Sequence, residues 1–213
     1  MKVILASNSP RRRQLLGLTG LDFQVVPADV DETPFQDEAP PNYVRRLAAA
    51  KALAVSTQFG RDKLVIAADT TVVDGSQILG KPIDDQDATC MLRQLRGRTH
   101  QVYTAIAVAY GGKLDVDLCW TDVPMRLYSD DEIQAYISTG DPLDKAGAYA
   151  IQNAGFHPVE NLKGCYANVV GLPLCHLSRA LQKLEIFSNT GIAQTCQGTL
   201  GYQCPVYELI LHS

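Results

Sequence analysis

The sequence has no apolar run long enough to cross a membrane. A spanning helix needs about 20 consecutive, mostly apolar residues, and no stretch of the 213-residue chain approaches that length. The N-terminal segment Met1–Ala6 is also shorter than the apolar core of a secretion signal, and polar Ser7 and Asn8 follow it at once. These absences predict a cytoplasmic protein that does not engage a membrane.

Cysteine pairs with metal-ligand spacing and an excess of positive charge are also absent. The six cysteines include no Cys-x-x-Cys pair and fit no zinc-site spacing, so we expect free thiols. The chain carries 19 Lys and Arg against 23 Asp and Glu, giving a net charge of −4, and it has no stripe of basic and aromatic residues. This balance argues against a nucleic-acid-binding module.

Short apolar runs alternate with amphipathic segments, which predicts an α/β fold with a partly antiparallel sheet. Buried strands are predicted at Lys2–Ala6 and Leu64–Ala68, and Asp69 would close the second of these. Ser9-Pro10 is typical of a helix start, and 173–184 is predicted to be the last regular helix. Further helices are predicted at 41–58, 85–96 and 129–140, and hairpins at 71–79 and 100–127.

The segment Ser7–Arg12 places small hydroxylated residues and adjacent arginines where a strand leads into a helix, and Arg13 follows directly. The unpaired N–H groups of a helix N-terminus, together with arginines, form a phosphate site. An ordinary N-cap followed by solvated arginines would give the same sequence. Both interpretations stay open from these residues alone.

Lys51 and Asp69 are charged residues at positions predicted to face inward. Lys51 shares a helical face with Val44 and Leu47, so it either extends to solvent or meets an anion. Asp69 is either a metal ligand, a general base or a turn aspartate that bonds its own backbone. Glu32 lies in an acidic, proline-rich loop, where solvated charge is the simpler explanation.

The pattern Gly75-x-x-x-x-Gly80-Lys81 resembles a P-loop only in part. Pro82 stands where a P-loop has the Ser or Thr that holds magnesium, and the segment lies in a predicted hairpin. We therefore reject the P-loop interpretation. A lysine that contacts phosphate remains.

Taken together, eight segments resemble the Maf family of nucleoside triphosphate pyrophosphatases over roughly residues 2–184. They are 5–12 (LASNSPRR), 31–32 (DE), 51–52 (KA), 68–70 (ADT), 80–82 (GKP), 144–149 (DKAGAY), 151–152 (IQ) and 169–173 (VVGLP).

The resemblance implies an elongated mixed sheet flanked by helices, with two lobes around a cleft, similar to the inosine triphosphate pyrophosphatase fold. It implies hydrolysis of a nucleoside triphosphate to the monophosphate and pyrophosphate with a divalent cation, Mg²⁺ or Mn²⁺, and a homodimer. The family domain would cover residues 1–185. Residues 186–213 form a C-terminal extension that we expect to be dispensable for chemistry, because it contains none of the implied contacts.

The resemblance also implies the roles of individual residues. Asp69 would accept the proton from water and bind the cation with Glu32, although which carboxylate is the base stays open. Gln152 would read the base. The other implied substrate contacts are Ser9, Arg12, Arg13, Lys51, Thr70, Lys81 and Lys145.

Three positions separate the branches of the family. Arg12, Thr70 and Gln152 are similar to residues that mark dTTP/UTP pyrophosphatases, whereas another branch prefers 7-methyl-GTP. The chain departs from the family pattern at Cys165 and Ala150. The alternative to an enzyme is a non-catalytic nucleotide-binding regulator of cell division. Such a protein would not need Asp69, Glu32 and Lys81 together.

Overall fold

The computed structural model describes residues 2–186 and 191–212. Its strands are β1 (Val3–Leu5), β2 (Phe23–Val25), β3 (Leu64–Asp74), β4 (Gln77–Leu79), β5 (Thr99–Tyr110) and β6 (Lys113–Pro124). Within the described residues they form one mixed sheet of order β2-β1-β3-β5-β6, with β4 paired to β3 outside that path. β1 is parallel to its two neighbours, and the other pairs are antiparallel. The predicted α/β class is confirmed.

Helices flank this sheet, and no helix among residues 2–186 and 191–212 is both long and apolar enough to span a bilayer. Short 3₁₀ turns occupy 141–144 and 146–148. The α-helices are α1 (Pro10–Gly17), α2 (Pro40–Phe59), α3 (Asp85–Leu95), α4 (Asp130–Ile137), α5 (Tyr166–Val170), α6 (Leu174–Lys183), α7 (Ile192–Leu200) and α8 (Tyr207–Leu211).

Two helix starts follow the local signals of the sequence. Ser9 caps α1, its hydroxyl accepting the backbone N–H of Arg12 at 3.3 Å, and Pro10 occupies the first helical position. Ser129 and Glu132 form a reciprocal capping box at α4. Each cap satisfies N–H groups that have no partner within the helix.

The prediction that Asp69 closes a strand is wrong. β3 continues through Asp69 to Asp74, because it stays paired with β5 from Val65 to Val73, including the Asp69–Ala105 pair. β1 ends earlier, where Leu5 pairs with Ile66. Beyond that pair β3 continues without β1 beside it, and Asp69 lies on this continuation.

Apolar side chains form separate clusters on the two sides of a cleft. In one lobe, α2 packs on one face of the sheet through Val44 and Ala48, and α1, α6 and α7 cover the other face. In the other lobe, Leu92 of α3 and Ile133 of α4 pack against the ends of the long hairpin β5–β6. The predicted two-lobed arrangement is therefore present.

The prediction that 173–184 is the last regular helix is wrong. α6 occupies this segment, but α7 and α8 follow, and Ile192 and Ala193 of α7 are buried. α7 contains two Thr, one Cys and one Gly, which are weak helix formers, so its helix depends on tertiary packing against α6 more than on intrinsic propensity. The division of the chain at residue 185 stays a prediction. The six cysteines, all within the described ranges, are free thiols, as expected.

Candidate active site

A cleft of about 400 Å³ opens between the two lobes, a size typical of small-molecule sites. Its floor follows the end of β1, the start of α1 and the part of β3 beyond β1. The second lobe contributes the segment from Asp144 to Gln152. Of the residues predicted from sequence, the cleft is lined by Ser9, Arg12, Glu32, Lys51, Thr70, Lys81, Lys145 and Gln152.

Two predicted site residues do not line the cleft. Asp69 lies beneath the surface, 6% exposed, and reaches the cleft through its contact with Lys51. Arg13 is exposed and is not among the lining residues, whereas Arg11 is one of them. The structure therefore replaces Arg13 with Arg11 in the cationic group.

The periodicity of α1 explains this exchange. Side chains four residues apart share a helix face. Arg11 and Arg12 each precede a buried leucine by four residues, whereas Arg13 precedes exposed Gly17 by four residues. This four-residue spacing is visible in the amino-acid sequence, and it indicates Arg11 rather than Arg13 as a residue of the cleft.

Lys51 joins the two acidic residues of the site. Its Nζ lies 2.6 Å from Asp69 Oδ1 and 2.6 Å from Glu32 Oε1. Burial raises the pKa of Asp69 above its ordinary value, and this outweighs the lowering effect of Lys51 and Arg12. Burial also opposes ionisation of Glu32, but Lys51, Lys81 and Arg12 overcome it and hold the pKa of Glu32 below its ordinary value.

Hydrogen bonds fix the side chain of Arg12 between strand β3 and the end of α5. Its Nε donates to the carbonyl of Gly171 at 2.9 Å, and Nη2 donates to Thr70 Oγ1 at 2.9 Å. Thr70 in turn lies 3.0 Å from Thr104 Oγ1. Burial lowers the pKa of Arg12, while the nearby Asp69 raises it. The guanidinium is therefore held in one orientation at the cleft.

The loop that carries Glu32 is braced by α2. Arg46 binds both carboxylate oxygens of Glu38, at 2.7 and 2.6 Å, and donates to the carbonyl of Thr33 at 3.1 Å. Tyr43 donates to the carbonyl of Glu32 at 2.9 Å. Sequence reasoning counted Arg46 only among the clustered positive charges near Lys51 and missed the bracing role of Arg46 and Tyr43, since nothing in the local pattern indicates it.

Ion pairs lie within the second lobe and also connect it to the first through Asp144. Lys145 pairs with Asp141 at 2.9 Å and with Asp144 at 2.6 Å. Arg11 reaches Asp144 across the cleft at 3.6 Å. Lys81 and Gln152 are exposed at the cleft surface. Lys81 directly follows Gly80 at the end of the β3–β4 hairpin, and this hairpin is the predicted one.

The carboxylates of Glu32 and Asp69 fit a divalent cation only if waters and substrate phosphates supply the remaining ligands. Among the residues described, no group of three or more His, Cys, Asp and Glu side chains could hold a metal. Glu32 and Asp69 nevertheless meet at one point, the Lys51 ammonium. Mg²⁺ is commonly bound by one or two carboxylates, with waters and substrate phosphates completing its shell. The two residues fit such a site, but not a cage made only of protein ligands.

The fold is an α/β sheet with a cleft between its two lobes. The cleft is lined by cationic side chains, among them Arg11, Arg12, Lys51, Lys81 and Lys145. These features define a class of protein that binds compact anions such as polyphosphates. The chain belongs to the Maf family: the family model described as Maf-like protein matches residues 2–184. The resemblance of the eight sequence segments is thereby confirmed.

Curated relatives match along most of the chain. A dTTP/UTP pyrophosphatase from Thermomicrobium roseum is 46% identical over 211 residues, covering 97% of this chain and 94% of its own. One of the same name from Pelotomaculum thermopropionicum is 47% identical over 184 residues, covering 85% of this chain and 96% of its own.

Two solved structures are also similar to the chain. One is the Staphylococcus aureus Ham1 protein, with a TM-score of 0.43 and 18% identity, over 59% of this chain and 72% of its own. The other is a nucleoside-triphosphatase, dITP/XTP pyrophosphatase, from Mycobacterium abscessus, with a TM-score of 0.44 and 17% identity, over 87% of this chain and 95% of its own.

Proposed function

We propose that this chain is a nucleoside triphosphate pyrophosphatase that hydrolyses dTTP and UTP to the monophosphate and pyrophosphate. One observation carries the proposal: Arg12, Thr70 and Gln152 line the same cleft as Lys51 and Glu32. The names of relatives at 46% and 47% identity support the same substrates. Removal of dTTP and UTP would serve to clean the nucleotide pool.

In the proposed reaction, a water oxygen attacks the α-phosphorus and the bond to the bridging oxygen of pyrophosphate breaks. Asp69 accepts the proton of that water, which its raised pKa favours. Lys51 holds the Asp69 carboxylate in place through the 2.6 Å contact. Mg²⁺ or Mn²⁺, held by Glu32 and Asp69, would supply positive charge that neutralises the phosphates.

The cationic residues of the cleft would stabilise the triphosphate and the charge that develops as pyrophosphate leaves. Arg12 of α1 and Lys51 of α2 line the cleft together with Lys81, which follows β4, and Lys145 of the second lobe. Ser9 and the first N–H groups of α1 would orient the phosphates.

Gln152 supports a pyrimidine preference. Its amide carries both a donor and an acceptor, which matches the carbonyl and N3–H edge of uracil or thymine. A 7-methyl-GTP pyrophosphatase is the alternative within the family. Arg12, Thr70 and Gln152 argue against it, because all three match the dTTP/UTP branch.

We also propose the setting in which the enzyme works. The cytoplasm is the compartment that holds the triphosphate pool, and the net charge of −4 argues against nucleic acid as a partner. A homodimer is proposed from the family resemblance.

The test is pyrophosphate release with Mg²⁺ across dTTP, UTP, dCTP, dATP, dGTP and 7-methyl-GTP. We expect the highest kcat/KM for dTTP and UTP, with the nucleoside monophosphate and pyrophosphate as products. A preference for 7-methyl-GTP, or release of orthophosphate from the γ-position, would contradict the proposal.

A further inference from the structure

The C-terminal segment contacts the loop in front of α5. The hydroxyl of Tyr202, just after α7, lies 3.0 Å from the carbonyl oxygens of both Leu162 and Gly164. Its ring also packs against Tyr166, with 5.5 Å between the ring centroids. Tyr202 therefore touches both the loop and the first residue of α5.

The turn that carries Tyr202 is itself anchored. The side-chain oxygen of Gln197 accepts the backbone N–H of Cys204 at 2.9 Å. The backbone N–H of Tyr202 donates to the carbonyl of Gln197 at 3.2 Å, which closes the end of α7. These two hydrogen bonds fix the backbone on both sides of Tyr202 and so hold its phenol ring in place.

On the far side of the loop there is no spare room. A Cβ added to Gly164 would lie 2.5 Å from Cγ2 of Thr121. Within α5, the side-chain amide of Asn168 donates to Val102 O and to Thr121 Oγ1, both at 2.9 Å. The loop and α5 are therefore held between the long hairpin and Tyr202.

α5 leads directly into the cleft. Val169 and Val170 line the cleft, and the next residue, Gly171, accepts the Nε–H of Arg12 at 2.9 Å. A Cβ on Gly171 would lie 3.2 Å from Thr70 Oγ1, so the backbone here approaches the site closely. A shift of α5 would move the acceptor that orients Arg12.

We propose that Tyr202 is a positioning residue for the nucleotide site, acting through α5 on Arg12. Tyr202 does not line the cleft and is not a catalytic residue. The sequence alone predicted a dispensable extension because residues 186–213 contain no direct substrate contact. The contacts of Tyr202 instead give the extension a role in substrate binding. This inference rests on the proposed function only in its kinetic test with dTTP, and its hydrogen-exchange test is independent of that function.

The test compares Tyr202→Phe with the matched variant Tyr207→Phe in the full-length chain. Tyr207 lies in the same C-terminal segment, and its hydroxyl donates to the carboxylate of the exposed Glu208 at 2.9 Å. Hydrogen exchange is followed by mass spectrometry on peptides covering 162–171 and on peptides from β3. Kinetics give KM and kcat separately for dTTP.

We expect Tyr202→Phe to speed exchange in 162–171 while β3 is unchanged. We also expect it to raise KM for dTTP about three- to tenfold with kcat within about twofold. Tyr207→Phe should behave as the parent in both assays. Gln197→Met, which loosens the same turn, should change both readouts in the same direction by a smaller factor.

A merely structural role predicts a different pattern. It would lower the melting temperature and the active fraction, with exchange rising throughout the chain and KM unchanged. That pattern overturns the proposal, as does an exchange change in 162–171 with no change in KM. If no nucleotide is hydrolysed by the parent, the proposed function fails. The exchange experiment then still decides whether Tyr202 holds α5.

Discussion

Lys51 donates a hydrogen bond to Asp69 at 2.6 Å, and both side chains are almost completely buried. The same ammonium lies 2.6 Å from Glu32, whose side chain is 55% exposed. One lysine thus links a buried carboxylate to an exposed carboxylate at the edge of the cleft. A triphosphate that enters the cleft meets the Lys51 ammonium and Glu32, whereas Asp69 lies beneath the surface behind Lys51 and keeps a charged partner in the free protein.

Asp69→Asn should fold and lose most activity. The amide cannot accept a proton from water, and removal of a general base costs about 10²–10⁴-fold in kcat. In the parent, kcat/KM should fall as pH decreases through the pKa of Asp69, which burial raises above its ordinary value, because only the ionised form is a base. The measurement is a pH profile of pyrophosphate release from dTTP.

The control is Asp62→Asn, which alters an exposed carboxylate paired with Lys63. It should keep both the rate and the profile of the parent. Near-normal kcat in Asp69→Asn would remove Asp69 from the mechanism.

Gln152→Glu should shift preference away from dTTP and UTP. A carboxylate only accepts hydrogen bonds, so it cannot donate to a pyrimidine carbonyl. A mismatched polar contact costs about 1–3 kcal/mol, or roughly 5- to 150-fold in kcat/KM. Competition between UTP and 7-methyl-GTP measures the ratio.

Gln86→Glu on α3 makes the same chemical change at an exposed site away from the cleft. The ratio of kcat/KM for UTP to kcat/KM for 7-methyl-GTP should be the same in this variant as in the parent. If Gln152→Glu also leaves the ratio unchanged, Gln152 does not read the base.

Arg11→Ala and Arg13→Ala should differ. Arg11 lines the cleft and pairs with Asp144, whereas Arg13 is exposed outside it. Loss of a charge-assisted hydrogen bond to phosphate costs about 1.5–3 kcal/mol, so KM for dTTP should rise at least about tenfold in Arg11→Ala. Arg13→Ala should stay within about twofold. Equal losses in the two variants would contradict the assignment of Arg11.

The protein should lose stability between pH 6.5 and 4. Burial lowers the pKa of His100 to about 4 from the ordinary 6.5, and it does the same for His176. Below pH 6.5 the unfolded chain takes up protons that the folded chain excludes until about pH 4, so stability present above pH 6.5 is lost as pH falls. The loss approaches roughly 3 kcal/mol for His100, and His176 contributes in the same direction. Urea unfolding at each pH measures it.

His100→Asn should flatten this dependence, although it also removes the 2.8 Å contact with the Tyr149 hydroxyl and lowers stability at every pH. His157→Asn alters an exposed histidine and should keep the slope of the parent. An equal slope in His100→Asn and the parent would show that His100 does not cause the acid loss.

The sequence by itself determined the features whose causes lie within a few residues. The Ser9 cap and the Ser129 capping box are each closed by a backbone N–H three residues away. The inward position of Lys51 follows from helical periodicity, and it is confirmed, since Lys51 is 8% exposed. The family motifs likewise identified residues most of which line one cleft, because members of a family share the fold that places these motif positions together.

Only the tertiary structure decided what depends on distant segments. β3 continues past Asp69 because β5 pairs with it there, and no local signal encodes that partner. Arg12 binds Gly171, which lies 159 residues further along the chain, and Tyr202 reaches Gly164 across 38 residues. The helix α7 contains weak helix formers, and burial of Ile192 against the core stabilises it. Local hydrogen bonds and periodicity act over a few residues, whereas these contacts form only when the packed core brings their partners together.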